Sequence, residues 1–516
     1  MIDELLKSLS FGRVFSAAIV IYSIVFYSRR LRVDREIRAL GGHAPKVRTY
    51  LPLGIDFVYR GITATVKHRN LELWEWLFKS GNANCPYTVE VNVASERLLF
   101  TADVENIKAI LTTQFADYGK GEPFHKDWRD FLGDGIFTTD GAEWHKNRQL
   151  IRPQFIKDRV SDLETFEVHV QKLIGLMGGR GEEVDVSELF FRYTLDAITD
   201  FLLGRTINSL ANPQVKFAEA FAEVQRVQNI ISRAGPFNWL VPRRSFFAGI
   251  KILDSFVTPY IDDALRLSPS DLEAKTKSST GYTFLHALAS FTRDRTTIRD
   301  QIVSVLLAGR DTTAAMLSWL FYELSAHPAI VRTLRAEILA RLGPSTPPTY
   351  DDLKNMRYLQ HVLSETLRLY PGVPFNVRLA LHDTTLPHGG GPDGLQPIGI
   401  RKNTPVGYST LLMQRRRDLY PEPSAAFPDV AVFAPERWEH WTPKSWTYIP
   451  FNGGPRICIG QQFALTEMGY TVVRILQRFE RVERYWKDGE QVLKAEIVLQ
   501  PGAGVRVGFW EAKGEA

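Results

Sequence analysis

Only two cysteines occur in the 516 residues of this chain, Cys85 and Cys458. So few thiols exclude a disulfide framework, fit a reducing compartment, and leave each one to be explained alone. Repeats and low-complexity tracts are absent, which excludes a repeat array. No dinucleotide-binding or Walker pattern is present. The glycine-rich "GGGPDG" (Gly389 to Gly394) contains Pro392 and is followed by strand-like text. A phosphate cradle needs a helix N-terminus behind it, so this stretch reads as a hairpin turn. A redox role would therefore draw its electrons from another protein. Charge of one sign does not dominate: 63 Lys and Arg stand against 58 Asp and Glu, a net +5. That is too mild for a nucleic-acid surface and suits a membrane face or an acidic partner.

What is present is ordinary globular text, 44% hydrophobic and 23% charged. The N-terminus is the exception. Leu9 to Ser28 carries a single charge, Arg13, and would span roughly 30 Å as a helix, one hydrocarbon thickness. Arg29, Arg30, Arg32 and Arg35 follow at once, which places the rest of the chain in the cytosol by the positive-inside rule. The expected organisation is a single-pass membrane anchor with its basic flank over 1–35, a Pro/Gly-marked linker over 36–60, and one catalytic domain over 61–516. The middle of the chain has helical periodicity, and strand-like text is scarce. The expected class is mainly α with small β-sheets.

One cysteine lies in "FNGGPRICIG" (Phe451 to Gly460). Gly453-Gly454-Pro455 bends the chain, and from Gly460 onward Phe463, Leu465, Met468, Val472 and Ile475 recur with helical spacing. Cys458 therefore precedes a helix start, where unpaired N–H groups and the helix dipole favour a thiolate. An inert buried cysteine needs neither the glycines nor Arg456. A nucleophile wants a basic partner, and zinc wants further Cys or His at short spacing; neither is nearby. A lone thiolate can also be the axial ligand of haem iron.

Three other stretches place unusual residues on helices. "LLAGRDTTAAM" interrupts an apolar helix with Gly309, Arg310, Asp311, Thr312 and Thr313, and Thr312 has the Ala308 carbonyl within reach of a back-bond. "SETLRLYP" sets Glu365 and Arg368 at i, i+3 on an otherwise apolar helix. "EWHKNRQLIRPQF" sets Trp144 and Arg148 at i, i+4, an indole N–H and a guanidinium suited to one carboxylate.

Together these stretches resemble the cytochromes P450. Phe451, Gly454, Arg456, Cys458 and Gly460 match the haem-binding signature of that family, and the likeness runs nearly the length of the chain. The resemblance implies haem b bound through Cys458 to iron, Phe451 shielding the sulfur, and Gly454 and Gly460 allowing close backbone approach. It further implies Arg456, Trp144, Arg148 and Arg378 on the haem propionates, and Asp311 with Thr312 as the acid–alcohol pair that relays protons to dioxygen. Glu365 and Arg368 match the ExxR pair, closed by Arg437 of "FAPERW", in a structural role. NADPH and O2 would be co-substrates, with electrons from a membrane-bound NADPH–cytochrome P450 reductase at the endoplasmic reticulum. Arg415, Arg416, Arg417, Arg474, Arg478 and Arg481 would offer that acidic partner a face.

The substrate is less legible. Phe115, Phe124, Phe131, Phe137, Leu306, Leu307, Val373 and Phe375 are candidates for an apolar pocket. "NIKAILTTQFADYGKG", "FLGDGIFTTDG" and "TTLPHGGGPDG" are similar to fungal hydroxylases of n-alkanes and fatty acids. That implies terminal hydroxylation of a long aliphatic chain. Tailoring oxidases of fungal secondary metabolism, acting on polyketides, peptides or terpenoids, share the same motifs. A non-catalytic haem sensor or electron carrier would not need Asp311 and Thr312.

Overall fold

The computed structural model describes residues 11–82, 84–93, 96–155, 163–277, 283–424 and 427–512. Ten helices position the site: α1 (Phe11–Leu40), α2 (Ile55–Val66), α3 (Asn70–Lys79), α4 (Gly121–Leu132), α5 (Gly141–Ile151), α6 (Val186–Leu203), α7 (Lys216–Ala234), α8 (Arg295–Ala326), α9 (Arg357–Leu369) and α10 (Gln461–Arg478). Further helices pack around these, and the described residues form twelve short strands: β1 (Thr88–Val93), β2 (Glu96–Thr101), β3 (Tyr118–Gly119), β4 (Val184–Asp185), β5 (Phe375–Ala380), β6 (Thr384–Gly390), β7 (Gln396–Ile400), β8 (Pro405–Ser409), β9 (Phe479–Arg484), β10 (Leu493–Ala495), β11 (Leu499–Pro501) and β12 (Arg506–Glu511). The architecture is mainly helical with small sheets, as the sequence led us to expect.

Helix α8 is the axis of the larger core. The Asp294 side chain caps it, accepting from the Thr296 and Thr297 N–H groups, and Pro328 follows its end. Its 32 residues are apolar on nearly every side, and it is buried accordingly. At Gly309 a Cβ would come within 2.6 Å of Ile198 on α6, so this glycine serves close helix packing. The helix runs through Gly309 and Thr312 without a break. Trp319 on α8 stacks on Tyr370 with ring centroids 4.1 Å apart, and its indole donates to the Leu499 carbonyl at 2.9 Å.

A second core lies under the five-stranded sheet, ordered β1-β2-β8-β5-β3, where Val89, Val91, Leu99, Val406 and Tyr408 are buried. The pairing of β2 with β8 is parallel, and the other pairs are antiparallel. "GGGPDG" closes the β6–β7 hairpin, as read from its proline.

The Pro/Gly-marked stretch after α1 is docked rather than extended. Ala44 and Val47 are buried. The Val47 N–H donates to the Glu90 carbonyl and the Glu90 N–H to the Pro45 carbonyl, each at 2.9 Å. His43 joins Asp34 (2.8 Å) to Glu90 (2.9 Å), tying the end of α1 to β1. Leu9 and Ser10 lie outside the described residues. Among the described residues no helix is long and apolar enough to cross a membrane.

Candidate active site

The cysteine loop is shaped by two backbone constraints. The Cys458 N–H donates to the Phe451 carbonyl at 2.9 Å, and the Ile457 N–H to the Gly454 carbonyl at 3.1 Å. Gly454 has φ +66°, and a Cβ there would lie 1.9 Å from the Leu111 carbonyl oxygen. Only glycine fits that approach of two backbones. At Gly460, which precedes α10, a Cβ would make only ordinary contact with Phe155 at 3.8 Å, so its space is open. Cys458 is solvent-accessible, with protein packed densely around it. Burial pushes the thiol pKa up; the Gly460 N–H and the Arg148 guanidinium pull the other way. The helix end alone does not make a thiolate here; a bound cation would.

Beside the loop, cations gather. Arg456 donates to the Thr139 carbonyl (2.9 Å) and to Asp140 (2.5 Å), and lies 4.5 Å from the centre of the Trp144 ring. Its Nε is buried without a partner. Burial, only partly offset by Asp140, lowers its pKa to about 10. Arg378 is buried, with the Val377 carbonyl at 2.9 Å from Nη1. The Lys120 ammonium stands over the Phe124 ring at 4.3 Å; burial and the cations of Arg378 and Arg456 push its pKa well down. Asp140, the carboxylate that offsets this group, also accepts from the Lys120 and Gly121 backbone N–H groups. Arg148 donates to the Ile457 carbonyl at 3.0 Å, next to the cysteine.

This arrangement fits haem. When ionised, Lys120, Arg378 and Arg456 exceed Asp140 by two charges, and haem b carries two propionates. An orphaned guanidinium N–H, an accessible thiol and an open glycine border the same region. Lys120 and Asp140 escaped the sequence reading. Their signal was a lysine set between Gly119 and Gly121 in "DYGKG", which looks like turn text until its burial is known.

On α8, Thr312 donates to the Ala308 carbonyl at 2.6 Å, the back-bond anticipated from sequence. Its Cβ lies 3.8 Å from where a Cβ on Gly372 would stand, so it faces the segment before β5. Asp311 is buried and salt-bridged to Arg310 at 3.0 Å; burial raises its pKa more than Arg310 lowers it. Arg310 lies inside the protein, 5.4 Å from the centre of the Phe221 ring.

Glu365, Arg368 and Arg437 meet at full burial. The Glu365 carboxylate accepts from Arg368 at 2.7 and 2.9 Å, from Arg437 at 2.8 Å, from the Trp438 indole at 3.0 Å and from the Ala434 N–H at 3.0 Å. Gln414 links α9 to the segment before the cysteine loop, donating to the Leu367 and Arg368 carbonyls at 3.1 Å and accepting from the Ile449 N–H at 2.9 Å.

The apolar candidates scatter. Phe115 packs on Trp144 (5.5 Å) and Phe124 on Trp128 (5.2 Å), near the cations. Phe131 is fully buried against Phe221, Leu306 and Leu307 are buried on α8, and Phe375 stacks on Trp74 at 5.0 Å. Phe137 is exposed, and Val373 is half-buried. The six-arginine docking face does not form. Arg415 is buried against the Leu369 carbonyl, Arg416 packs 3.6 Å over Tyr87, and Arg474 is bound to Glu167 at 2.9 Å. Arg417, Arg478 and Arg481 stay at the surface, paired with Asp429, Glu511 and Glu483. These arginines satisfy carbonyls and acids of their own chain.

A helical domain with a single accessible thiolate position, set beside buried cations in excess, has the form of a haem-thiolate oxygenase. Residues 82–503 match the family Cytochrome P450, and the chain belongs to that family. It is 51% identical to cytochrome P450 monooxygenase pvhE of Talaromyces variabilis, covering 96% of this chain and 95% of that one. It is 43% identical to cytochrome P450 52A1 of Candida tropicalis, covering 77% and 75%. The crystal structure of the cytochrome P450DA heme domain shares the fold at TM-score 0.74 and 21% identity, covering 92% and 98%. The protein is a cytochrome P450 monooxygenase, and its cofactor is thiolate-ligated haem, supplied with O2 and with NADPH electrons through a reductase.

Proposed function

We propose that Cys458 is the axial ligand and that Arg456, Lys120, Arg378, Arg148 and Trp144 hold the haem propionates. The observation that carries this reading is the excess of buried cations beside Cys458, including the orphaned Arg456 Nε. When bound, the haem activates O2 so that one oxygen atom enters a C–H bond and the other leaves as water, which consumes two electrons and two protons. This chain's own groups exclude water, hold the propionates and supply the protons. Burial keeps the Asp311 carboxyl readier to carry a proton than an exposed aspartate, and Arg310 limits how far its pKa rises. Thr312 spends its hydroxyl proton on Ala308, which leaves its oxygen free to accept from a proton donor. Glu365, Arg368 and Arg437 brace the cysteine loop through Gln414.

The substrate we propose is a long aliphatic chain, an alkane or a fatty-acyl group, hydroxylated at or near its end. Similarity to fungal alkane and fatty-acid hydroxylases supports this. A second reading, a tailoring oxidase of secondary metabolism, is favoured by the higher identity to a protein outside the Candida 52A group. We further propose that the N-terminal segment anchors the protein in the endoplasmic reticulum membrane with the catalytic domain in the cytosol. Turnover with a reductase, NADPH and a C12–C18 alkane or fatty acid is the test, read by mass spectrometry for a product one oxygen heavier. No such product from a protein whose reduced carbon-monoxide complex has the thiolate Soret band would leave the tailoring reading. A histidine-type band would remove Cys458 as ligand.

A further inference from the structure

Away from Cys458, a cavity of about 750 Å³ opens between the segment after α1, helices α2 and α3, and the β6–β7 hairpin. Its lining includes His43, Lys46, Arg48 and Arg60, with Tyr50 and Trp76, and no Asp or Glu. Among the described residues Arg48 and Arg60 form no ion pair, whereas His43 is held by Asp34 and Glu90. Lys46 reaches Glu90 only at 3.7 Å, and that carboxylate is already taken by Arg97 at 2.6 Å and His43 at 2.9 Å. Arg60 lies over the Trp76 ring at 4.6 Å, which holds a guanidinium in place without neutralising it.

The cavity's mouth continues into apolar surface. Tyr50 is 81% exposed, and beyond it Leu53, Ile55, Tyr59, Ile62 and Val66 point into solvent. A helix that turns its apolar side outward, with cations at its edge, has the composition of an interfacial helix. Arg233 at the end of α7 bonds Thr65 at 2.7 Å, which brings the exposed Phe237, Trp239 and Leu240 near the same end of α2.

We infer that this cavity binds the headgroup of an anionic phospholipid, with the acyl chains lying against α2. The inference rests on the membrane reading above and goes beyond it by naming a lipid class and a site. The cavity is large enough to admit a phosphodiester headgroup, and its charge matches a leaflet rich in phosphatidylserine or phosphatidylinositol.

The test uses the full-length holoprotein, floated with phosphatidylcholine vesicles and with vesicles in which phosphatidylserine replaces a third of the lipid. The wild type should bind the anionic vesicles more tightly. Lys46→Gln/Arg48→Gln/Arg60→Gln should lose roughly fivefold per cation, about a hundredfold in all, on anionic vesicles only. Its binding to neutral vesicles and its carbon-monoxide spectrum should be unchanged. An intact preference for anionic vesicles in the triple variant overturns the site. A wild type that floats equally with both vesicles overturns the headgroup site and leaves the membrane anchor standing; one that floats with neither overturns both. Glycerol phosphate that quenches Trp76 fluorescence as well as vesicles do would make this a site for free phosphate, against the inference. Slower reduction of the triple variant by reductase in detergent would assign the cavity to an acidic protein, also against it.

Discussion

The buried charges around Glu365 and those around Arg456 are built on opposite principles. Around Glu365 every charge is answered within the chain. One carboxylate accepts from both arginines, an indole and a backbone N–H, while Arg437 spends its remaining donors on the Pro428, Asp429 and Val432 carbonyls. Around Arg456 the charges do not close: Lys120, Arg378 and Arg456 repel one another, and Asp140 is shared with backbone N–H groups. Burying like charges is costly, and a fold retains such an arrangement where a ligand completes it. A closed cluster marks structure, and an open one marks where something else binds.

The largest effect should come from opening the closed cluster. Glu365→Ala strands two guanidiniums at full burial and should destabilise the protein by about 3–5 kcal/mol. That is a large part of a typical folding free energy. Little haem-loaded protein should be recovered, and what is recovered should unfold at a much lower temperature. A Tm within a degree or two of wild type would show that the cluster is not the brace we describe.

The open cluster should answer in the reverse direction. Lys120→Met removes one repelled cation, so the haem-free protein should unfold at the same temperature or higher. The holoprotein should surrender its haem about ten- to a hundredfold faster to apomyoglobin, because a charge-assisted contact of about 1.5–3 kcal/mol is gone. Loss of stability without faster haem transfer would make Lys120 a structural residue and erase the contrast.

How much of this was readable follows from the range over which each signal acts. Glu365 with Arg368, and Trp144 with Arg148, were legible because helix geometry fixes neighbours three and four residues apart. Arg437 joins from 72 residues away, and only the family likeness pointed to it. Lys120 was silent because its chemistry depends on burial, which is set by β3 pairing with β5 and by where Asp140 turns. The same blindness made Arg415, Arg416 and Arg474 look like a surface. A run of arginines carries no record of which carbonyls it will meet. Gly309 and Gly454 stood out in the sequence, but not the neighbours they meet: a Cβ would come within 2.6 Å of Ile198 and 1.9 Å of the Leu111 carbonyl oxygen. The Pro/Gly text after α1 read as a linker and carried no sign of the Glu90 pairing that docks it.

A third treatment of buried charge, avoidance, shows as a slope with pH. Glu467 on α10 is 1% exposed, and its pKa is pushed up to about 8 by burial, the Thr313 hydroxyl pulling it only slightly back. In the unfolded chain it would titrate near its ordinary 4.5. A carboxyl whose folded pKa is raised contributes its full stability below 4.5 and loses it as pH rises to about 8, since the unfolded chain releases the proton first. The slope is at most about 1.4 kcal/mol per pH unit. Glu467→Gln keeps the shape and the hydrogen bond but has no proton to lose, so this part of the pH dependence should vanish. Urea midpoints of the holoprotein at pH 5, 6.5 and 8 should show the variant gaining on wild type at each step. A constant gap would mean that Glu467 ionises inside the fold as readily as outside it, and that α10 holds an answered charge of the Glu365 kind.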